Sequence, residues 1–193
     1  MSVGIKTGRH FYINEADILN KLAKSLYSCI CEAEETIGNI SFVCIGSDRA
    51  TGDSLGPIIG HMLGQKVQNN NVKIYGNLNK PVHAANIWDI MDRVYSENRG
   101  SLIIAIDAAL SKQADRVGIV NIGVGSVNPG AFAEKKLPAV GHIYMTGVVN
   151  WAGRLNDIET LQSTRLGFVM EMADIMASGI GLAIEKWQKR HML

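Results

Sequence analysis

The sequence predicts an α/β fold: a single three-layer α/β/α domain, phosphorylase/hydrolase-like, with a mostly parallel central sheet. Three observations carry this expectation. Short β-branched apolar runs alternate with helix-length amphipathic segments, the order produced when crossover helices link parallel strands. The 193 residues are 47% hydrophobic and 19% charged, enough apolar material for one packed core and short for two. Twenty glycines, many beside apolar runs, mark tight loops at strand ends. No repeat, low-complexity stretch or linker divides the chain, so residues 1–193 read as one domain.

Each element follows from local pattern. Asn14 and Asp17 read as a cap and a first-turn acid, and Leu19, Leu22, Leu26 and Ile30 recur at helical spacing, which predicts a helix over 15–36. Ile40 to Ile45 reads as a buried strand ending at Gly46. The polar loop Gly46-Ser-Asp-Arg-Ala-Thr-Gly-Asp53 comes next, and Ser54 to Gln68 reads as a helix. A strand at Val72–Tyr75 and a helix through Ile87, Ile90, Met91 and Val94 follow. Leu102–Ile106 is a strand with Asp107 at its carboxyl end; Val117–Ile122 and Ala139–Met145 read as two more. From Arg165 to about Lys189, a stripe including Leu166, Val169, Met170, Ala173, Met176, Ile180, Ala183, Ile184 and Trp187 predicts a long helix with a core-facing side.

Composition excludes several functions. A net charge of +1 with no basic stripe argues against direct nucleic-acid binding or attraction to an anionic membrane. Cys29, Cys31 and Cys44 are odd in number and form no CxxC pair, which fits reduced packing thiols better than disulfides or a zinc ribbon. Residues 1–11 lack an apolar signal-peptide core, and Leu102–Ile106 is too short to span a bilayer. The expectation is a cytoplasmic protein without a membrane span. The apolar last helix is compatible with homo-oligomer formation as well as with core packing.

In open α/β sheets, chemistry gathers beyond the carboxyl ends of strands. Asp53, after the first buried strand, and Asp107, after the central one, both occupy such places. Two carboxyls that approach each other do not both ionise easily, so the pair can act as acid and base on a water. Asp53 is equally placed to cap a helix, and Asp107 to serve a turn. Ser47, Asp48 and Arg49 on the same loop are candidate substrate contacts, with Asp48 also reading as a solvated turn acid. The glycines of that loop match neither a Walker A nor a dinucleotide-binding pattern. His142, in Val-Gly-His-Ile-Tyr-Met-Thr-Gly, is the histidine that with Asp53 and Asp107 would complete a divalent-metal site; a structural histidine is the alternative. His10, His61, His83 and His191 show no ligand spacing, no G-x-S-x-G elbow is present, and Cys44 lies inside a strand.

Two stretches, Gly46-Ser-Asp-Arg-Ala-Thr-Gly-Asp53-Ser-Leu-Gly-Pro57 and Leu102-Ile-Ile-Ala-Ile-Asp107-Ala-Ala-Leu-Ser111, resemble the germination protease of spore-forming bacteria. The whole chain looks closer to the YyaC family of sporulation proteins. Gly125-Ser-Val-Asn-Pro-Gly130 is similar to the family's Pro-Gly loop, and the resemblance covers most of residues 38–150. It implies an atypical aspartic-type endopeptidase on a fold shared with hydrogenase maturation proteases. The implied substrates are small acid-soluble spore proteins, and the implied compartment is the spore or forespore. The catalytic aspartates fall on Asp53 and Asp107. In the maturation enzymes the equivalent acids bind nickel with a histidine, for which His142 is the candidate third ligand here.

The chain departs from the germination protease in being about half as long, in reading Thr-Gly-Asp for Thr-Pro-Asp, and in carrying Ser47 for a loop Asn. Three functions therefore stand as expectations. The first is a cofactor-free peptidase acting on a protein or peptide. The second is a protein dependent on a nickel-like ion, and the third a non-catalytic binding protein of spore formation.

Overall fold

The computed structural model describes residues 8–33, 38–67, 70–129, 137–153 and 156–191. Its elements run β1 (Arg9–Tyr12), α1 (Ile18–Ala33), β2 (Ile40–Cys44), α2 (Leu55–Lys66), β3 (Val72–Tyr75), α3 (Ile87–Glu97) and β4 (Leu102–Ser111). They continue with β5 (Ile119–Val124), β6 (Ile143–Trp151), α4 (Asp157–Gln162) and α5 (Leu166–His191). The strands form one sheet in the order β1-β5-β6-β4-β2-β3. The four strands from β6 to β3 are parallel, while β5 and β1 add antiparallel at the edge.

Strand alternation sorts the core onto two faces. Ile40, Phe42 and Cys44 of β2, with Leu102, Ile104 and Ile106 of β4, pack among the buried residues of α1, α2 and α5. Val43, Ile45, Ile103 and Ala105 point the other way and pack with Ile87, Met91 and Val94 of α3. One face thus carries three helices and the other carries α3 over the β3–β2–β4 side. By length and composition α5 could cross a membrane. Here it is a core helix, with Val169, Met172, Ala173, Met176, Ala177, Ile180, Ala183, Ile184 and Trp187 buried. Leu166 and Met170, expected in that stripe, are instead exposed because they precede and flank the packed side.

Several expectations are corrected. β1 has no apolar run to announce it; it forms by pairing Arg9–Tyr12 against Ile119–Ile122 as an edge strand. β4 does not end at Asp107 but continues to Ser111 alongside β6. The last strand lies at Ile143–Trp151 rather than Ala139–Met145; of the earlier residues, Val140 makes an isolated bridge to Val127. α1 begins at Ile18, after Asp17 in a left-handed conformation at φ 59°, and not at a cap on Asn14. Its expected last residues, like Gln68 at the end of the next helix and Gly130 of the Pro-Gly loop, lie outside the described residues. α4, unforeseen, starts with a capping box between Asn156 and Glu159.

The close seat of α2 on the carboxyl ends of β2 and β3 depends on two glycines four residues apart. A Cβ on Gly56 would collide with the Ile45 carbonyl oxygen, and one on Gly60 with the Gly76 carbonyl oxygen. Gly181, inside α5, faces open space. Gly60→Ala should therefore cost roughly 1–3 kcal/mol of stability by overpacking backbone against backbone. Gly181→Ala should add up to about 1 kcal/mol through helix propensity. Urea denaturation of the two variants checks this opposite pair of signs.

Candidate functional site

Asp53 is held at the end of a tight loop. Gly46 has φ 138°, a conformation that L side chains rarely adopt, and a Cβ there would strike the Asp53 carbonyl oxygen. The Ser47 N–H donates to that same carbonyl at 3.2 Å, closing the loop. Ser54 donates its hydroxyl to the Thr51 carbonyl at 2.6 Å, and a Cβ on Gly52 would crowd Leu161 and Thr164. Asp53 lies inside the short 3-10 turn Gly52–Ser54 and caps nothing; Ser54 precedes α2 without a side-chain cap bond. The capping role open to Asp53 in the sequence is not the one it has.

Asp107 is positioned by the sheet. The pairing of β2 with β4 stops at Cys44 and Ile106, so Asp107 is the first β4 residue beyond that edge. It is still flanked on the other side, where it pairs with Thr146 of β6. Its Oδ1 accepts from the Ala108 N–H at 2.9 Å. Burial first, and the nearby Asp53 charge second, raise the Asp107 pKa to about 8 against the Ala108 N–H. Burial also raises the Asp53 pKa, opposed by the Ser47 N–H and by His83. The two acids expected to converge are thus in electrostatic contact, and they are unequal.

His83 is the group that sequence spacing did not single out. Val82 bridges Ile45 in parallel, and the Gly46 N–H donates to the Val82 carbonyl at 2.8 Å, which sets the next residue beside the Asp53 loop. The His83 Nδ1 accepts from the Ala85 N–H at 3.3 Å. The available signal was positional: His83 follows β3, whose carboxyl end neighbours that of β2.

The other expected residues separate. Ser47 borders the Asp53 loop and its hydroxyl accepts from the Arg49 N–H at 3.3 Å; Asp48 and Arg49 are exposed at the tip. His142 is corrected. It precedes β6, donates its N–H to the Ile103 carbonyl at 2.8 Å, and accepts from the Ile103 N–H on Nδ1 at 3.1 Å. Ile103 is four residues before Asp107, about 13 Å along a strand. The expected triad of Asp53, Asp107 and His142 does not assemble. Among the described residues no three His, Cys, Asp or Glu side chains are grouped to hold a metal ion, so the donor set does not fit nickel. Cys44 is buried, with its thiol pushed up to about 12, and all three cysteines are free.

Comparison with known proteins gives three matches. Residues 10–179 match the family described as "Protein of unknown function (DUF1256)". The chain is 40% identical over 154 residues to the uncharacterized protein YyaC of Bacillus subtilis (strain 168), covering 79% of this chain and 74% of that protein. The crystal structure of the NiFe hydrogenase maturation protease HycI from Thermococcus kodakarensis KOD1 superposes with a TM-score of 0.55 at 13% identity. That match covers 81% of this chain and 98% of HycI, a likeness of fold. With residues 10–179 matched by the family model, the chain belongs to the DUF1256 family, and YyaC is a 40% identical relative.

Proposed function

We propose that this chain is an aspartic-type peptidase acting in sporulation or germination, with small acid-soluble spore proteins as its substrates. The observation that carries this reading is the unequal pair of carboxyls, Asp53 and Asp107, at one edge of the parallel sheet. The resemblance of their two motifs to the germination protease supports the substrate class.

In this reading the inequality assigns the roles. Asp107, neutral near pH 7, is the acid; Asp53, facing His83 and the Ser47 N–H, is the carboxylate base. Asp53 takes a proton from water as the water oxygen attacks the scissile carbonyl carbon, and Asp107 gives its proton to the carbonyl oxygen. As the tetrahedral intermediate collapses, the C–N bond breaks and Asp53 passes its proton to the leaving nitrogen. The re-forming carbonyl returns a proton to Asp107. Ser47, Asp48 and Arg49 border the substrate at the loop.

Cleavage of a small acid-soluble spore protein, followed by mass spectrometry, should fall at least about 100-fold in Asp53→Asn and in Asp107→Asn, with circular dichroism unchanged. Retained turnover in either variant would overturn the reading. The rate should also decline as pH rises through about 8, where Asp107 loses its proton.

The same acid weakens the fold. Between its unfolded value of 3.8 and its folded value of about 8, the folded chain binds more protons at Asp107 than the unfolded chain does. Stability therefore falls as pH rises through that window, by at most about 1.4 kcal/mol per pH unit. Asp107→Asn removes this dependence. The variant should be more stable than the parent at pH 8, by a margin wider than at pH 5, in paired urea titrations.

A further inference from the structure

Beside Asp107, the sheet face opposite α1, α2 and α5 continues across β6, β5 and β1 with no described helix over it. The ladder puts four polar residues on that face in one row: Asp107 pairs with Thr146, Thr146 with Asn121, and Asn121 with His10. Three of them are joined by hydrogen bonds. His10 Nδ1 lies 2.6 Å from Asn121 Oδ1, and Asn121 donates from Nδ2 to Thr146 Oγ1 at 3.2 Å. The Thr146 hydroxyl proton and the His10 Nε2 remain for a ligand.

A groove of about 490 Å³ opens beside this row, with His10 and Asn121 of the row in its lining. Its floor includes Ala109, Asn121 and Val148, and its walls include His10, Lys112 and Arg116. Lys112 and Arg116 belong to the connection from β4 to β5. Both are exposed, and neither has an ion-pair partner among the described residues. Asp115 of the same connection does not line the groove; its carbonyl accepts from the Tyr12 hydroxyl. The row crosses three strand-to-strand steps, about 14 Å, the reach of about four extended residues. Neutral hydrogen-bonding groups along the row match a peptide main chain, and two unpaired cations on the groove wall match a carboxylate.

We propose that an extended peptide lies along this polar row from the acid pair toward β1 and enters the groove beside it, with Lys112 and Arg116 receiving a carboxylate within about four residues of the scissile bond. The proposal rests on the peptidase reading for what the peptide is, and on the groove itself for where it lies. A side-chain carboxylate and a C-terminal one present the same chemistry to these cations.

Three fluorescein-labelled decapeptides of alternating Ala and Ser separate the sources: one amidated with a central Glu-Glu, its Gln-Gln counterpart, and one with neutral side chains and a free C-terminus. Fluorescence anisotropy at low salt should give at least tenfold tighter binding of one or both carboxylate probes than of the neutral probe. Whichever binds names the source. The double substitution Lys112→Gln, Arg116→Gln should remove the preference. Lys24→Gln, Lys189→Gln, a charge-matched pair on the helical face, should leave it intact. Equal binding of all probes, no binding, or a preference that survives the first pair or is lost with the second would overturn the proposal. Because no turnover is read, a preference without cleavage leaves the groove standing and removes the peptidase, and cleavage without a preference does the reverse.

Discussion

The contact on which this site depends is made between backbones. The first turn of α2 sits against the end of β2 closely enough that neither Gly46 nor Gly56 has room for a Cβ. The loop between them is closed by the bond from Ser47 N–H to the Asp53 carbonyl, so the Asp53 main chain is fixed to the strand end rather than carried on a free loop. Pro57 falls in the first helical turn, where its missing N–H is no loss. The stretch Asp53-Ser-Leu-Gly-Pro57 thereby acquires a physical account. Leu55 is buried, Gly56 permits the approach, and Asp53 is left at the edge with its side chain free of capping duty.

Strand length supplies the second half of the site. β4 runs five residues beyond its pairing with β2, and the step so created begins at Asp107. An acid on a step is shielded by β6 on one side and by the Asp53 loop on the other, which explains why burial outweighs the Ala108 N–H in setting its pKa. Asp53 is less deeply buried and has the Ser47 N–H and His83 to hold its charge. Two identical side chains thus differ because the fold surrounds them differently, and that difference is what acid–base chemistry requires.

Much of this was legible in the sequence where burial dictates pattern. β2 and the first half of β4 are buried apolar runs, and the long last helix follows its stripe within a residue or two at each end. Legibility fails where an element owes its existence to pairing alone. Arg9–Tyr12 is mostly exposed and becomes a strand only because β5 lies beside it. Thr146 and Gly147 break the apolar run that would have announced β6, yet Gly147 is required because Met172 and Leu55 fill the space of its Cβ. His83 and His142 illustrate the limit for sites. Each sits beside a strand, but only the register of Ile45 with Val82, and of His142 with Ile103, decides which one faces the acids.

The uneven covering of the sheet follows from topology. α1, α2 and α5 occupy one face, so the other is covered by α3 only where β3, β2 and β4 need it. An apolar surface on the remaining strands would be a liability, and beside the buried Ile119 and Val148 the residues there include His10, Asn121, Thr146 and the half-buried Tyr144, whose ring occupies space left by Gly8 and Gly123. A polar open face is the least that solubility demands of such a sheet. A hydrogen-bonded row from His10 through Asn121 to Thr146, the ladder partner of Asp107, is more than that demand, since scattered polar residues would meet it equally well. Fold likeness to a maturation protease leaves activity open. The discriminating information lies in this row and in the cations beside it, where the chain's own residues, rather than its architecture, determine what can lie against the acid pair.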